Sequence, residues 1–213
     1  MTRVAVMRGA GEDLTNNMCS GVVRGVPDVT NINSPAEVRP IGMRSLGESV
    51  SLGRAALRSF DALGGPWVGV GFSLGAYTLT EFARLDKPQS CQGLVLLGNP
   101  LRPRGQVTHG GVPANRFGLA GEVPVVGIPT FNFAVPDDPI TSCPVDNGLR
   151  SISDLVTGRP QPRPLLAWNL LYTIDWAKKY LVGGRHVAYA SERVPGANHT
   201  YVQAAAEKVW SLL

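Results

Sequence analysis

A pentapeptide of the form Gly-x-Ser-x-Gly, Gly71-Phe-Ser73-Leu-Gly75, lies between a β-like run beginning at Trp67 and a helix-like run beginning at Leu74. No other feature constrains the chain as much. A serine on a sharp strand-to-helix turn needs small neighbours, because a Cβ on either side crowds the bend. Ser73 would stand exposed at the strand's C-terminal end, with helix N-terminal N–H groups aimed at the same spot. That is the geometry of an acyl-transfer site. Two plainer readings compete. The glycines can serve only to pack a β-α turn closely. Alternatively Gly69-x-Gly71-x-x-x-Gly75 approximates a dinucleotide fingerprint, but that fingerprint needs an acid at the end of the next strand. The next apolar run, Gly93 to Leu97, ends in Gly98-Asn-Pro100 and supplies none.

Apolar runs alternate with helical patterns, which predicts parallel strands joined by crossover helices. Strands are expected at 3–7, 67–71, 93–97 and 130–135, and helices at 48–63 and 74–85. In the first helix Val50, Leu57, Phe60 and Leu63 form one apolar face. Residues 98–123 are rich in Gly and Pro and read as a long surface loop near the strand ends. A breaker-rich link at 157–164 leads into a helix expected at 165–181. Residues 158–184 therefore read as a helical insertion before a last strand at 186–189. A turn at 195–199 and a helix from Thr200 to Leu213 close the chain.

The chain has 213 residues, 44% of them apolar and 17% charged, which suits a single globular domain over 1–213. Its net charge of +4 is modest and the basic residues are scattered, so nucleic-acid binding is not expected. No secretory signal precedes Arg3-Val-Ala-Val-Met7, and no apolar run reaches the roughly 20 residues that span a bilayer. Cys19, Cys91 and Cys143 lack zinc-ligand spacing with the three histidines and read as buried or free thiols; no metal or organic cofactor is expected.

A serine hydroxyl becomes a nucleophile only when a base takes its proton and an acid orients that base. In the scaffold that carries such an elbow the chain order is Ser, acid, His. His109 precedes any strand that could bear the acid, and His186 falls inside a strand-like pattern. His199, on a loop between the last strand and the terminal helix, is the expected base. Asp137 and Asp138 both follow the strand ending at Val135 and are the candidate acids. The oxyanion hole would use the N–H of Leu74 and a second N–H from the loop Arg8-Gly-Ala10-Gly-Glu12.

With these residues in place the chain resembles the cutinase-like serine esterases, and within them the mycobacteriophage lysin B family. The resemblance rests on Met7-Arg-Gly-Ala-Gly-Glu12, Gly71-Phe-Ser-Leu-Gly-Ala76, Gly98-Asn-Pro-Leu-Arg-Pro-Arg-Gly105, and Pro136-Asp-Asp-Pro-Ile140 with Asn198-His-Thr-Tyr201. These segments stretch over nearly the whole chain in the family's order. Phe72 and Leu74 stand where family elbows carry Tyr and Gln, and Ala10 lacks the hydroxyl that many cutinases add to the oxyanion hole.

The resemblance implies an α/β-hydrolase fold with a mostly parallel sheet and a helical insertion before the histidine. It implies Asp138 as the acid and Ala10 as the second oxyanion donor. It also implies hydrolysis of the ester joining mycolic acids to arabinogalactan, by a protein made in an infected host's cytoplasm that reaches the envelope once lysis begins. The alternatives are a lipase or esterase acting on simpler lipids or polyesters, and a hydrolase-like binding or phage structural protein without activity. The insertion, with Leu166, Trp168, Leu170 and Leu171, is expected to cap the acyl site, Trp168 and Leu171 contacting substrate.

Overall fold

The computed structural model describes residues 1–161 and 169–213. Five strands form one sheet: β1 (Arg3–Met7), β2 (Val29–Asn31), β3 (Trp67–Phe72), β4 (Cys91–Leu97) and β6 (Thr130–Phe133), in the order β2-β1-β3-β4-β6. Every pairing in it is parallel. The central strand β3 is buried along its whole length, as expected of a parallel sheet covered on both faces.

Successive side chains on a strand point to opposite faces, and the two cores follow that alternation. Val4, Val6, Val68, Val70, Val95 and Leu97 enter the core closed by helix α5 (Tyr201–Trp210). Ala5, Met7, Trp67, Leu94 and Leu96 enter the other, which is closed by α1 (Leu46–Asp61) and α2 (Leu74–Leu85). Helix α1 starts in a capping box: Ser45 accepts from the Glu48 N–H, and the Glu48 carboxylate accepts from Ser45. Helix α2 buries ten of its 12 residues, and Thr78 and Thr80 satisfy their hydroxyls on the carbonyls of Leu74 and Ala76.

The segment from 98 to 123 departs from the expected surface loop. Leu101, Arg102, Phe117 and Ala120 are buried in it, and it carries β5 (Arg116–Phe117), which pairs antiparallel with β7 (Cys143–Pro144). Irregular backbone can be buried only if its carbonyls find donors, and two buried guanidinium groups provide them. Arg102 donates to the carbonyls of Thr141, Pro103 and Arg116. Arg150 donates to those of Pro144, Gly118, Phe117 and Cys143, and to the side chain of Gln161. Burial pulls both groups down to about 10, so they remain cations at neutral pH.

Arg150 belongs to α3 (Leu149–Thr157), a helix not foreseen from sequence. Its buried residues are Arg150 and Ser153, while Ile152 and Leu155 face outward and Val156, half-exposed, borders the cavity at Ser73. Helix α4 (Leu170–Leu181) follows, within the expected insertion; residues 162–168, including Leu166 and Trp168, lie outside the described residues. The strand expected at 186–189 is instead a 3₁₀ turn, Arg185–Ala190. All three cysteines are free thiols and buried.

Candidate active site

Ser73 sits between β3 and α2 with φ 51° and ψ −113°, a conformation L-residues rarely adopt and one that stores on the order of 1–3 kcal/mol. The surrounding structure holds it there. The Ser73 N–H donates to the Leu97 carbonyl at 3.0 Å, and a Cβ at position 75 would lie 2.0 Å from the Met7 carbonyl oxygen. The glycine of the elbow is therefore required by the close approach of β1, the strand that leads into the Arg8–Glu12 loop.

Ser73 Oγ lies 2.7 Å from His186 Nε2, within hydrogen-bonding distance. On the other side of the ring, Nδ1 lies 2.9 Å from Asp138 Oδ2 and 3.1 Å from Oδ1. Asp138 is wholly buried, and its Oδ1 also accepts the Ile140 N–H at 2.8 Å. Burial pushes its carboxyl up, but the charge of His186, the hydrogen bonds from His186 and Tyr189 and the Ile140 N–H outweigh burial, and it titrates below its ordinary value. Phe72 stacks on the imidazole with ring centroids 5.0 Å apart. Gly98, at φ +59°, makes room for both: a Cβ there would meet His186 Cε1 at 3.0 Å and Phe72 Cε2 at 3.1 Å.

This arrangement corrects the choice of base. His199 is part-exposed, 3.9 Å from the Glu207 carboxylate, and lines a different cavity together with His109 and Lys208. His109 is taken up structurally: its Nε2 accepts the Ala134 N–H, its Nδ1 bonds the Gly110 carbonyl, and burial lowers its pKa. The strand-like look of His186-Val-Ala-Tyr189 concealed the histidine that lies against Ser73. A 3₁₀ turn has three residues per turn, which places His186 and Tyr189 on one edge. A strand would have turned them to opposite faces.

The neighbouring carboxylates separate as well. Asp138 faces His186, whereas Asp137 takes an ion pair from Arg185 at 2.6 Å, and Arg185 also pairs with Glu192. The segments carrying Asp138 and His186 are thus joined twice, once in the interior and once at the surface.

Ser73, Leu74 and Ala10 border one cavity of about 470 Å³, with Leu46, Tyr77 and Ile140 among its apolar walls. Leu74 opens α2, so its N–H has no intrahelical acceptor. In the Arg8–Glu12 loop the Gly9 N–H is held by the Glu12 carboxylate and the Gly11 N–H by the Ala36 carbonyl, which fixes the turn around Ala10. The arrangement can shuttle a proton from the hydroxyl to the imidazole and offers backbone donors near the serine. Leu171 corrects a further expectation: it is 79% exposed and does not border the cavity, because α4 turns its C-terminal end, Tyr180 and Leu181, toward the site. Tyr189, whose hydroxyl donates to Asp138 at 2.6 Å, was not anticipated; its spacing of three from His186 was the available signal. Among the described residues no three His, Cys, Asp or Glu side chains gather so as to hold a metal ion, and no helix is long and apolar enough to cross a membrane.

No protein-family model matches the chain, and no curated protein matches it. Solved structures do. Lysin B from Mycobacteriophage D29 superposes with a TM-score of 0.65 at 17% identity, covering 98% of this chain and 99% of that one. A cutinase-like protein from Cryptococcus sp. superposes with a TM-score of 0.52 at 16% identity, covering 88% and 93%. At these identities the likeness is one of fold, and it agrees with the parallel sheet and flanking helices: the chain has an α/β-hydrolase fold of the cutinase-like kind.

Proposed function

We propose that the chain is a serine esterase with Ser73 as nucleophile, His186 as general base and Asp138 as the acid that orients it. The observation carrying this reading is the unbroken run from Ser73 Oγ to His186 Nε2, 2.7 Å, and from Nδ1 to Asp138, 2.9 Å, at a strained strand-to-helix turn. Ser73 Oγ attacks the ester carbonyl carbon while His186 takes the hydroxyl proton. The Leu74 and Ala10 N–H groups receive the oxyanion. Collapse breaks the carbon–oxygen bond to the alcohol, which leaves with the proton from His186, and the acyl group stays on Ser73. A water then attacks, giving its proton to His186, and the acid is released as Ser73 recovers its hydrogen.

The substrate we propose is a mycolyl ester of arabinogalactan in the mycobacterial envelope, reached by a phage-encoded enzyme as lysis proceeds. This finer reading is supported by the resemblance of Met7–Glu12, Gly71–Ala76 and Gly98–Gly105 to the lysin B family, and by the near-complete superposition on a phage lysin B. Turnover of p-nitrophenyl butyrate by the wild type, reduced at least about a thousandfold in Ser73→Ala, is expected. Equal turnover by the two proteins would remove the esterase reading. Release of mycolic acids from isolated envelope tests the substrate. Hydrolysis of simple lipids or polyesters without such release would assign the simpler lipase activity instead.

A further inference from the structure

Within this esterase reading, we propose that Tyr189 is a positioning residue that fixes the charge and orientation of Asp138 and thereby sets the pH at which His186 becomes a competent base. The 3₁₀ turn Arg185–Ala190 presents His186 and Tyr189 from the same edge to one buried carboxylate. Tyr189 is wholly buried, and its hydroxyl is directed: it accepts the Val135 N–H at 3.4 Å, which turns its own proton toward Asp138 Oδ2 at 2.6 Å. The ring is clamped by edge contacts with Phe72 and with Tyr201 of α5. Burial, and then the charge of Asp138, push the phenol well above its ordinary value, so it stays a donor throughout the working range.

The other groups facing this carboxylate are accounted for. Ile140 donates its backbone N–H. Arg102, Tyr180 and Cys143 feel its charge without bonding it, Arg102 being bound to three carbonyls. Arg185, Asp137 and Glu192 form their own ion pairs on the outer side of the turn. Among the described residues Tyr189 is therefore the side chain, besides His186 itself, whose proton Asp138 accepts.

The sign follows from the shared carboxylate. A donor on Asp138 stabilises its negative charge and lessens the pull it exerts on a proton at His186. Removing that donor makes the Asp138–His186 pair hold its proton more tightly, so a higher pH is needed to free the base. The test is the pH profile of kcat/KM for p-nitrophenyl butyrate in the wild type, in Tyr189→Phe, and in protein carrying 3-fluorotyrosine at position 189.

The Phe variant keeps the ring and is expected to move the acid limb up by about one pH unit, lowering kcat/KM by up to about tenfold below the limb and little on the plateau above it. Fluorotyrosine, a stronger donor, is expected to move the limb down. A limb that stays put in both proteins overturns the proposal, even if activity falls, because a packing role would scale the profile without shifting it. Should Tyr189→Phe fail to fold, the direction of the fluorotyrosine shift decides alone. Ser73→Ala assayed alongside keeps the two ideas apart: full turnover there would sink the esterase reading itself.

Discussion

Helices α2 and α3 obey opposite burial rules. Ten of the 12 residues of α2 are buried, and its Ala76, Leu79, Phe82 and Ala83 pack in the core against the sheet. Helix α3 buries Arg150 and Ser153 and turns Ile152 and Leu155 outward. The same contrast divides the chain. In β1, β3 and β4, regular strands satisfy their backbone groups on one another and side-chain periodicity decides which face is inside. From Gly98 to about Gln161, much of the backbone is irregular and is held by guanidinium groups bonded to carbonyls. The site draws on both regimes. Its serine stands on the regular sheet, and its acid and base come from segments beyond it.

The largest expected effect lies where the two regimes meet. His186→Ala should lower kcat/KM on p-nitrophenyl butyrate by about 10³-fold or more, whereas His199→Ala should leave it nearly unchanged. A greater loss for His199 would mean that the irregular half rearranges on binding substrate. Next comes Arg150→Met, which preserves much of the volume but leaves four backbone carbonyls without this donor; it should cost about 3 kcal/mol in denaturant unfolding. A cost below about 1 kcal/mol would show that the carbonyls find other partners and that the contrast with α2 is only apparent. The smallest effect is expected from Leu155→Ser, within about 0.5 kcal/mol, since its side chain is 88% exposed. A loss of several kcal/mol there would show that this face of α3 is covered in solution.

The division also explains what could be read in advance. Strands β1, β3 and β4, helix α2 and the position of Ser73 follow from periodicity and from glycines at one sharp turn, because in that half burial tracks apolar pattern. The base did not follow, because alternation in His186-Val-Ala-Tyr189 mimics a strand and nothing local reveals a 3₁₀ period. Adjacency alone did not separate Asp137 from Asp138; the difference lies 48 residues away, where Arg185 claims one and His186 the other. Helix α3 was missed for the same reason that makes it unusual: a helix anchored by its arginine has the wrong face apolar. Leu171 was chosen for its size, but the direction in which α4 runs past the site was not legible.

The three buried cysteines turn this contrast into something that can be timed. Cys19 belongs to the core under α5, Cys91 opens β4, and Cys143 lies in the arginine-held strand pair β5–β7. Burial raises all three thiols, Cys91 and Cys143 to about 12, so an alkylating reagent finds almost no thiolate until the surrounding structure opens. Each cysteine thereby acts as a clock for its own neighbourhood, and the order in which they react gives the order in which the molecule comes apart. Modification of Cys143 well before the other two would mean that the arginine-held segment around Asp138 breathes while the sheet beneath Ser73 remains shut.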